Sequence, residues 1–379
     1  MKIVCATNMP YAREAFTTLG DVKVIEGRRI SADDVRDADI LAIRSTTDVN
    51  RQLLEGSRVK FVGTATIGID HLDIDYMEKN GIAWCYSPGC NANSVSEYVT
   101  AALLFLADRY NLVLAGKTIG VIGVGNVGRR VVEKAQALGL HVLQNDPPRQ
   151  RTEGGNQFVN LETVLKESDI LTLHVPLTND GQDPTRHMVD ASFLEKAKNG
   201  CILINAARGA VVDTNALIGA LGNGKISHTI IDTWEGEPQY RSDLLEVADI
   251  GTPHIAGHSF EGKVAGTVMV FRAACKFIGT DSEWSPDNLL PEPLVPKLTI
   301  NVSSYKRREQ LLHALVKAVY DIKADDSRFR AGNEEFDSLR RNYPIRREFR
   351  YTEVAVAGAS SELRATIAGL GFKTNKDTT

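Results

Sequence analysis

Arg208, Glu237 and His254 are the side chains in this sequence best suited to act together as chemical groups. Each follows a short apolar run of the kind that forms a buried strand. A guanidinium can hold a carboxylate through two parallel hydrogen bonds. A histidine with one ring nitrogen held by a glutamate can take a hydroxyl proton on the other. The set therefore supplies a carboxylate anchor and an oriented base, the minimum needed to oxidise a 2-hydroxy acid to a 2-oxo acid.

Each of these residues also has an ordinary explanation. A single arginine or glutamate is usually a solvated surface charge, and a histidine after a proline is commonly a satisfied turn residue. What favours the chemical explanation is that all of them follow predicted strands of the same segment that carries a dinucleotide motif.

That motif lies between Lys117 and Asp146. An apolar, β-branched run predicts a buried strand, and Gly123, Gly125 and Gly128 follow it in the pattern GxGxxG. In such a turn the glycines allow a tight bend, an approach of backbone to a pyrophosphate, and close packing of strand and helix. A helical pattern and a second short strand then lead to Asp146, whose carboxylate can hold a ribose hydroxyl. The segment predicts a dinucleotide-binding unit.

The identity of the dinucleotide depends on two residues. The carboxylate of Asp146 would repel a 2′-phosphate, which favours NAD over NADP. Arg149 lies close by in the sequence and could pair with such a phosphate, so NADP stays an alternative at this stage.

The chain alternates short strands and helices on both sides of this motif, which predicts an α/β fold with two doubly wound parallel sheets. We expect a flavodoxin-like substrate domain from residues 1–95 and 258–285, and a Rossmann-like nucleotide domain from 96–257. A proline-rich stretch then leads to a small α/β unit, 286–379. Because a unit of this size is marginally stable alone, we interpret it as an association module.

Polar side chains at strand ends of the first domain are candidates for binding a substrate. Arg44 and Ser45 follow one predicted strand, and Thr66 follows the next. Hydroxyl groups at such places also cap helices and turns. For any single one of them, capping explains its position about as well as a contact with substrate does. His258 follows His254 on the segment that returns to the first domain, where it either lines the pocket or begins a helix.

Composition excludes several classes of protein. The 379 residues are 43% hydrophobic and 24% charged, with a formal net charge of -4, which gives no reason to expect nucleic acid or a membrane surface as partner. The five cysteines are scattered singly, which favours reduced thiols in a cytoplasm. No signal peptide, membrane span or metal-ligand cluster is predicted.

In combination, four motifs resemble the D-2-hydroxyacid dehydrogenases. They are GVGNVG at 123–128, NAARGAVVD at 205–213, DTWEGEP at 232–238 and TPHIAG at 252–257. The resemblance implies that Arg208, Glu237 and His254 are catalytic and that NAD is the cofactor. It places cofactor contacts on Gly123, Gly125, Asn126, Val127, Gly128, Asp146, Val175, Ala206, Ala207, Arg208, Asp232 and Gly257.

A closer resemblance, to one group within that family, spans nearly the whole chain. It is carried by NMPYARE near the start, RSTTDVN, GTATIGIDH, PGCNANSV and the proline-linked C-terminal unit. It implies a phosphorylated 2-hydroxy acid as substrate, contacts from Ser45 and Thr66, and a homodimer formed through the C-terminal unit. His258 stands where that group has a substrate-contacting tyrosine, and an imidazole can still donate to a phosphate.

Two alternatives remain at the sequence level. The substrate could be another phosphorylated 2-hydroxy acid such as 3-phosphoglycerate, although the C-terminal unit lacks an obvious regulatory pattern. The chain could instead be an NAD-sensing interaction protein that keeps the fold. The absence of a long low-complexity tail counts against the second alternative.

Overall fold

The computed structural model describes residues 1–332 and 335–374. The chain forms two compact units. The first consists of Met1–Asn91 with Ser259–Glu292, and the second of Ala92–His258 with the chain from Pro293 onward. The C-terminal segment thus has its own small sheet but packs with the nucleotide-binding part in one unit. Its treatment as a separate domain with the predicted boundaries stays a prediction.

The β-strands of the described residues are short and lie in parallel sheets. They are β1 (Lys2–Ala6), β2 (Asp21–Ile25), β3 (Ile40–Ile43), β4 (Phe61–Thr64), β5 (Ala83–Cys85), β6 (Thr118–Ile122), β7 (His141–Asn145), β8 (Ile170–Leu173), β9 (Cys201–Asn205), β10 (Ile226–Ile231), β11 (Ile250–Gly251), β12 (Lys297–Asn301), β13 (Glu353–Ala357) and β14 (Lys373–Thr374).

The α-helices connect and cover these strands. They are α1 (Ala12–Phe16), α2 (Ala32–Val35), α3 (Arg51–Leu54), α4 (Ile74–Lys79), α5 (Ala92–Arg109), α6 (Asn126–Ala137), α7 (Pro147–Glu153), α8 (Leu161–Glu167), α9 (Ala191–Lys196), α10 (Thr214–Gly222), α11 (Ser242–Val247), α12 (Phe260–Ile278), α13 (Arg308–Val319), α14 (Ile322–Arg330), α15 (Phe336–Arg341) and α16 (Ser361–Gly369). No helix in the described ranges is both long and apolar enough to cross a bilayer.

The sheet of the first unit has the order β2-β1-β3-β4-β5, which is the flavodoxin-like arrangement. Successive residues of its strands pack on opposite faces. Val4 and Leu41 belong to the apolar core on one face, and Ile3 and Ile40 to the core on the other. This alternation follows from the twofold side-chain period of a strand, and burial on both faces explains the continuous apolar runs in the sequence.

The sheet of the second unit has the order β11-β10-β9-β8-β6-β7. A single parallel bridge joins Gln144 of β7 to Phe158, where the third strand of a Rossmann sheet would lie. Helices α5 and α6 cover one face with a core that includes Val99 and Val131. The opposite core contains Val164 and Leu217. The predicted fold class, two doubly wound α/β sheets with a small C-terminal α/β part, is confirmed.

The C-terminal part adds the parallel sheet β12-β13-β14 and shares a core with the nucleotide-binding part. Helix α13 packs on α5, and the fully buried Leu312 and Leu315 of α13 join the same apolar cluster as Leu103 and Leu104 of α5. Sequence periodicity predicts a helix over 311–322, a strand over 351–356 and a helix over 361–370, which correspond to α13, β13 and α16. It does not predict β12, β14, α14 or α15.

The shared core predicts that a cavity in α13 destabilises the unit as a whole. Leu312→Ala removes a side chain with 0% exposure, and we expect the free energy of unfolding to fall by about 2–5 kcal/mol. Leu294→Ala is the matched control because Leu294 is 91% exposed, and it should change the unfolding free energy by less than about 0.5 kcal/mol. Denaturant unfolding measures both. Equal effects of the two substitutions would contradict the shared core.

Candidate active site

The GxGxxG segment forms the turn from β6 into α6, and two of its glycines are required by packing. Gly123 has φ 86°, and a Cβ there would lie 2.7 Å from the backbone carbonyl of His174. A Cβ on Gly128 would lie 2.1 Å from the carbonyl oxygen of Gly123. Around Gly125, at the N-terminus of α6, a Cβ would meet nothing within 4 Å. A helix N-terminus with open space over a glycine is where backbone amides can approach a pyrophosphate.

Asp146 lies at the end of β7 and reaches back to this turn. Its Oδ2 accepts a hydrogen bond from the Val124 amide at 2.8 Å, and its Oδ1 accepts one from the Arg149 amide at 3.1 Å. The Arg149 guanidinium also reaches this turn, but its donors are taken by Glu153 and by the Val124 carbonyl. The Asp146 carboxylate keeps acceptor sites for ribose hydroxyls, as NAD binding requires.

Arg208, Glu237 and His254 follow β9, β10 and β11, which are consecutive neighbours in the parallel sheet. Because parallel strands end at the same edge, these side chains share one edge with the dinucleotide turn after β6. Val175 follows β8, Ala206 and Ala207 follow β9, and Gly257 follows β11, so these predicted cofactor contacts lie along the same edge. Their contact with a cofactor stays a prediction.

His254 and Glu237 form a hydrogen-bonded pair. His254 Nδ1 lies 2.5 Å from Glu237 Oε1, and Glu237 Oε2 accepts a hydrogen bond from the Trp234 amide at 3.0 Å. Burial alone would raise the pKa of Glu237, but the hydrogen bond and charge of His254 outweigh it and lower that pKa. An ionised carboxylate can only accept, so Nδ1 carries a proton. In the neutral ring Nε2 is then a free base, and no described residue bonds to it.

Asp232 holds the backbone that carries His254. Its carboxylate is 1% exposed and accepts hydrogen bonds from the Thr252 hydroxyl at 2.7 Å, the Ile255 amide at 2.8 Å and the Ala256 amide at 3.0 Å. The His254 amide donates to the Asp232 carbonyl at 2.7 Å. Burial raises the pKa of Asp232, and His254 together with these hydrogen bonds opposes the shift. The sequence singled out Asp232 for a cofactor contact and missed this clamp.

Asn205 is a second positioning residue that the sequence analysis missed. Its side chain is 1% exposed, donates to the carbonyls of Arg208 at 3.2 Å and Thr233 at 3.4 Å, and accepts from the Ala207 amide at 3.1 Å. It therefore ties the Arg208 loop to the Glu237 loop. Gly209 allows the contact, since a Cβ there would lie 2.0 Å from the backbone of Trp234. A buried asparagine directly after an apolar strand was the available sequence signal.

Arg208 is partly buried, and one of its guanidinium nitrogens donates to the Ala207 carbonyl at 2.8 Å. No other described side chain bonds to it, so the remaining donors of the fork are available for a carboxylate. This agrees with the role predicted for Arg208, which itself stays a prediction.

The predicted substrate contacts of the first unit lie at neighbouring strand ends. Arg44 and Ser45 follow β3, and Thr66 follows β4. The Thr66 hydroxyl donates to the Gly68 carbonyl at 3.0 Å and lies 2.7 Å from Thr64 Oγ1. The Thr66 hydroxyl thus stabilises the turn in which it lies. This agrees with the alternative explanation, in which such hydroxyls cap turns.

His258 packs its ring edge-on against Tyr343 of the C-terminal part, with ring centroids 5.7 Å apart. This contact was not predicted from the sequence. Within the described residues no group of three or more His, Cys, Asp or Glu could hold a metal ion. Cys5, Cys85, Cys90, Cys201 and Cys275 are free thiols.

Comparisons with known proteins agree with this geometry. A family model described as D-isomer specific 2-hydroxyacid dehydrogenase, NAD binding domain, matches residues 105–256. A second model, described as a domain of unknown function, matches residues 289–371. The crystal structure of D-lactate dehydrogenase from Aquifex aeolicus, complexed with NAD and lactic acid, is similar with a TM-score of 0.60 and 28% identity. The match covers 73% of this chain and 95% of that chain.

Two relatives match over nearly the whole length. The chain is 49% identical over 364 residues to a protein of Pectobacterium carotovorum subsp. carotovorum (strain PC1), covering 95% of this chain and 96% of the relative. It is 44% identical over 382 residues to a protein of Ectopseudomonas mendocina (strain ymp), covering 99% and 100%. The chain belongs to the D-isomer specific 2-hydroxyacid dehydrogenases, NAD-dependent oxidoreductases, and the predicted family and cofactor are confirmed. Both relatives carry the name erythronate-4-phosphate dehydrogenase.

The packing of the dinucleotide turn predicts a loss of cofactor affinity on adding one methyl group. Gly128→Ala places a Cβ against the Gly123 carbonyl, so the turn must open, and we expect the Kd for NADH to rise by about 10-fold or more. Gly219→Ala is the matched control, because Gly219 lies within α10 and a Cβ there meets nothing within 4 Å. Fluorescence titration with NADH measures both. An unchanged Kd for Gly128→Ala would contradict the packing requirement.

Proposed function

We propose that this chain oxidises 4-phospho-D-erythronate with NAD to 3-hydroxy-2-oxo-4-phosphooxybutanoate, a step in the biosynthesis of pyridoxal 5′-phosphate (vitamin B6). The observation that carries the reaction type is the His254–Glu237 pair next to Arg208, on the sheet edge that also bears the dinucleotide turn. The substrate is taken from the full-length relatives, which are named erythronate-4-phosphate dehydrogenases.

Each residue of the set has one task in this reaction. The free donors of the Arg208 guanidinium hold the substrate carboxylate, which fixes the adjacent carbon that bears the hydroxyl. His254 Nε2 removes the hydroxyl proton as the C–O bond becomes C=O. NAD, held by the turn from Gly123 to Gly128 and by Asp146, would supply the acceptor for the hydride that leaves the same carbon. Glu237 stabilises the resulting imidazolium of His254. Its carboxylate holds Nδ1 of the ring, so that Nε2 faces the substrate.

The cofactor fits the residues present. The open space at Gly125 lies at the N-terminus of α6, where a pyrophosphate is favoured by the helix dipole. The Asp146 carboxylate stands at the end of β7 for the ribose hydroxyls. In this proposal the predicted backbone contacts at Val175, Ala206, Ala207 and Gly257 complete the nucleotide site along the same edge, and Asp232 faces the nicotinamide side.

The substrate side of the proposal draws on the first unit. Arg44, Ser45 and Thr66 follow neighbouring strands of its sheet, and in this proposal each is a substrate contact. His258 of the second unit is also proposed as a substrate contact. A hydroxyl, a guanidinium and an imidazole can each donate to the oxygen atoms of a phosphate or a polyol. We also propose that the enzyme is a cytoplasmic homodimer, formed through the C-terminal part. The free thiols of all five cysteines support a reducing compartment.

The reaction has a direct mutational test. His254→Ala removes the base, and we expect kcat to fall on the order of 100-fold or more while NADH binding and the fold are retained. His141→Ala is the matched control, because His141 is exposed at the start of β7, and its kcat should stay within about twofold of the wild type. Steady-state NADH formation measures both. A near-normal kcat for His254→Ala would exclude it as the base.

Substrate specificity is tested with a panel of 2-hydroxy acids. We expect kcat/KM for 4-phospho-D-erythronate to exceed that for D-erythronate and for 3-phosphoglycerate by about 10-fold or more, and NAD to be preferred over NADP. A higher value with 3-phosphoglycerate would reassign the substrate. NADH binding without turnover of any member of the panel would favour the interaction-protein alternative.

A further inference from the structure

The C-terminal part contacts the loops that carry Glu237 and His254. The contacts are made by helices α14 and α15 and by the segment that follows them. We call α14 (Ile322–Arg330) and α15 (Phe336–Arg341) the support helices. Together with Arg346 they contact the chain before His254, the chain after His254, and the aromatic residues on both sides of Glu237. These contacts all lie within the second unit.

Before His254, the contact is made by a buried carboxylate. Strand β11 lies at the end of its sheet, so the Gly251 amide that points away from β10 has no strand to bond with. Asp326 of α14, with 0% exposure, accepts that hydrogen bond through Oδ1 at 2.8 Å. Lys323 at 2.5 Å and Arg330 at 2.7 Å balance its charge. The end of β11 is thus fixed to α14 by a charge-assisted hydrogen bond.

After His254, the contact is made by a buried guanidinium. Arg346 is 5% exposed, and its Nη2 donates to the Ala256 carbonyl at 2.7 Å and also bonds to the Ser94 hydroxyl. Its plane lies over the ring of Tyr320, 4.3 Å from the centroid. Arg346 therefore joins the segment after His254 to α5, the long helix of the nucleotide-binding part.

These two anchors flank a residue whose backbone needs support. His254 has φ 54°, in the left-handed region that a residue with a side chain seldom adopts. Such a conformation persists only where the surroundings hold it. Asp232 holds it from within the sheet, and Asp326 and Arg346 hold the adjoining chain from the C-terminal part.

The Glu237 loop is held by aromatic packing instead. Trp234 and Tyr240 lie on either side of Glu237, and both pack on Phe329 of α14, with centroids 5.6 Å and 4.9 Å apart. Tyr240 also packs on Phe336 of α15 at 5.9 Å. Because the Trp234 amide donates to Glu237 Oε2, the position of Trp234 determines where the carboxylate lies.

We infer that the support helices and Arg346 are positioning elements for the His254–Glu237 pair, so the C-terminal part has a task in catalysis besides association. This inference rests on the proposed function only for the chemistry that the pair performs. A displacement of about 1 Å in a catalytic group can cost on the order of 100-fold in rate, so a contact remote from the substrate is enough to matter.

Arg346→Met tests the inference, because methionine keeps an unbranched apolar stem and removes the bond to Ala256. We expect kcat to fall about 10- to 100-fold, with the KM for substrate and the Kd for NADH changed less than about threefold. Phe336→Leu is a second, milder variant that keeps an apolar side chain in the aromatic cluster, and its kcat should fall in the same direction. Arg341→Met is the matched control, since Arg341 is exposed at the end of α15, and its kcat should not change.

A spectroscopic measurement separates positioning from activity. The proton on His254 Nδ1 that faces Glu237 should give a downfield imidazole ¹H resonance in protein without substrate, assigned by its absence in His254→Ala. We expect it in the wild type and in Arg341→Met, and expect it shifted or lost in Arg346→Met. It is read without substrate, so it tests the inference even if 4-phospho-D-erythronate is not turned over.

Two results would overturn the inference. One is a kcat and an Nδ1 resonance that are unchanged in both Arg346→Met and Phe336→Leu while the melting temperature falls, which would make these contacts merely stabilising. The other is a loss of NADH binding in step with activity, which would indicate general damage to the nucleotide-binding part. A loss of kcat with cofactor binding retained and the resonance altered supports positioning.

Discussion

The loops at the carboxyl edge of the second unit's sheet depend on the buried carboxylate of Asp232. Its two oxygens accept hydrogen bonds from the Thr252 hydroxyl and from the amides of Ile255 and Ala256. The backbone carbonyl of Asp232 accepts one from the His254 amide. A carboxylate with 1% exposure is costly to bury, and these donors offset that cost. Because Asp232 also starts the loop that carries Glu237, it fixes both members of the His254–Glu237 pair relative to the sheet. The Thr252 hydroxyl extends the network to Tyr98 of α5 at 2.7 Å.

Much of the fold could be predicted from the sequence because its signals are local. The apolar run Thr118–Ile122 before Gly123 predicts a strand and forms β6, and the spacing of the glycines predicts the turn that follows. Where a third strand of the nucleotide-binding sheet would lie, the structure has the isolated bridge at Phe158. Helices α14 and α15 were not predicted from the sequence. Both support helices are short and charged, and Arg328 and Arg330 pair with Asp325 and Asp326 on the same helix, so hydrophobic periodicity carries little information there.

The candidate site also has residues that the sequence predicted and residues that it did not. Arg208, Glu237 and His254 were recognisable because each follows a strand, which is a property of sequence order and parallel topology. Asn205 and the clamp formed by Asp232 were not, since their importance arises from contacts between loops that are distant in the sequence. Arg346 is the extreme case, with a partner at Ala256 that lies in another part of the chain. A single sequence shows which groups can do chemistry, and the tertiary contacts show what holds them in place.

The contact of Asp326 with Gly251 also bears on solubility. An uncovered edge strand presents a row of amides and carbonyls on which another chain can add a strand, which is a common route to aggregation. Strand β11 is only two residues long, its outward amide is taken by a charged side chain, and α14 packs beside it. This edge therefore offers no template to a neighbouring molecule. Loss of the C-terminal part would expose it, so a truncated chain would gain an unpaired strand edge as well as lose contacts that support His254.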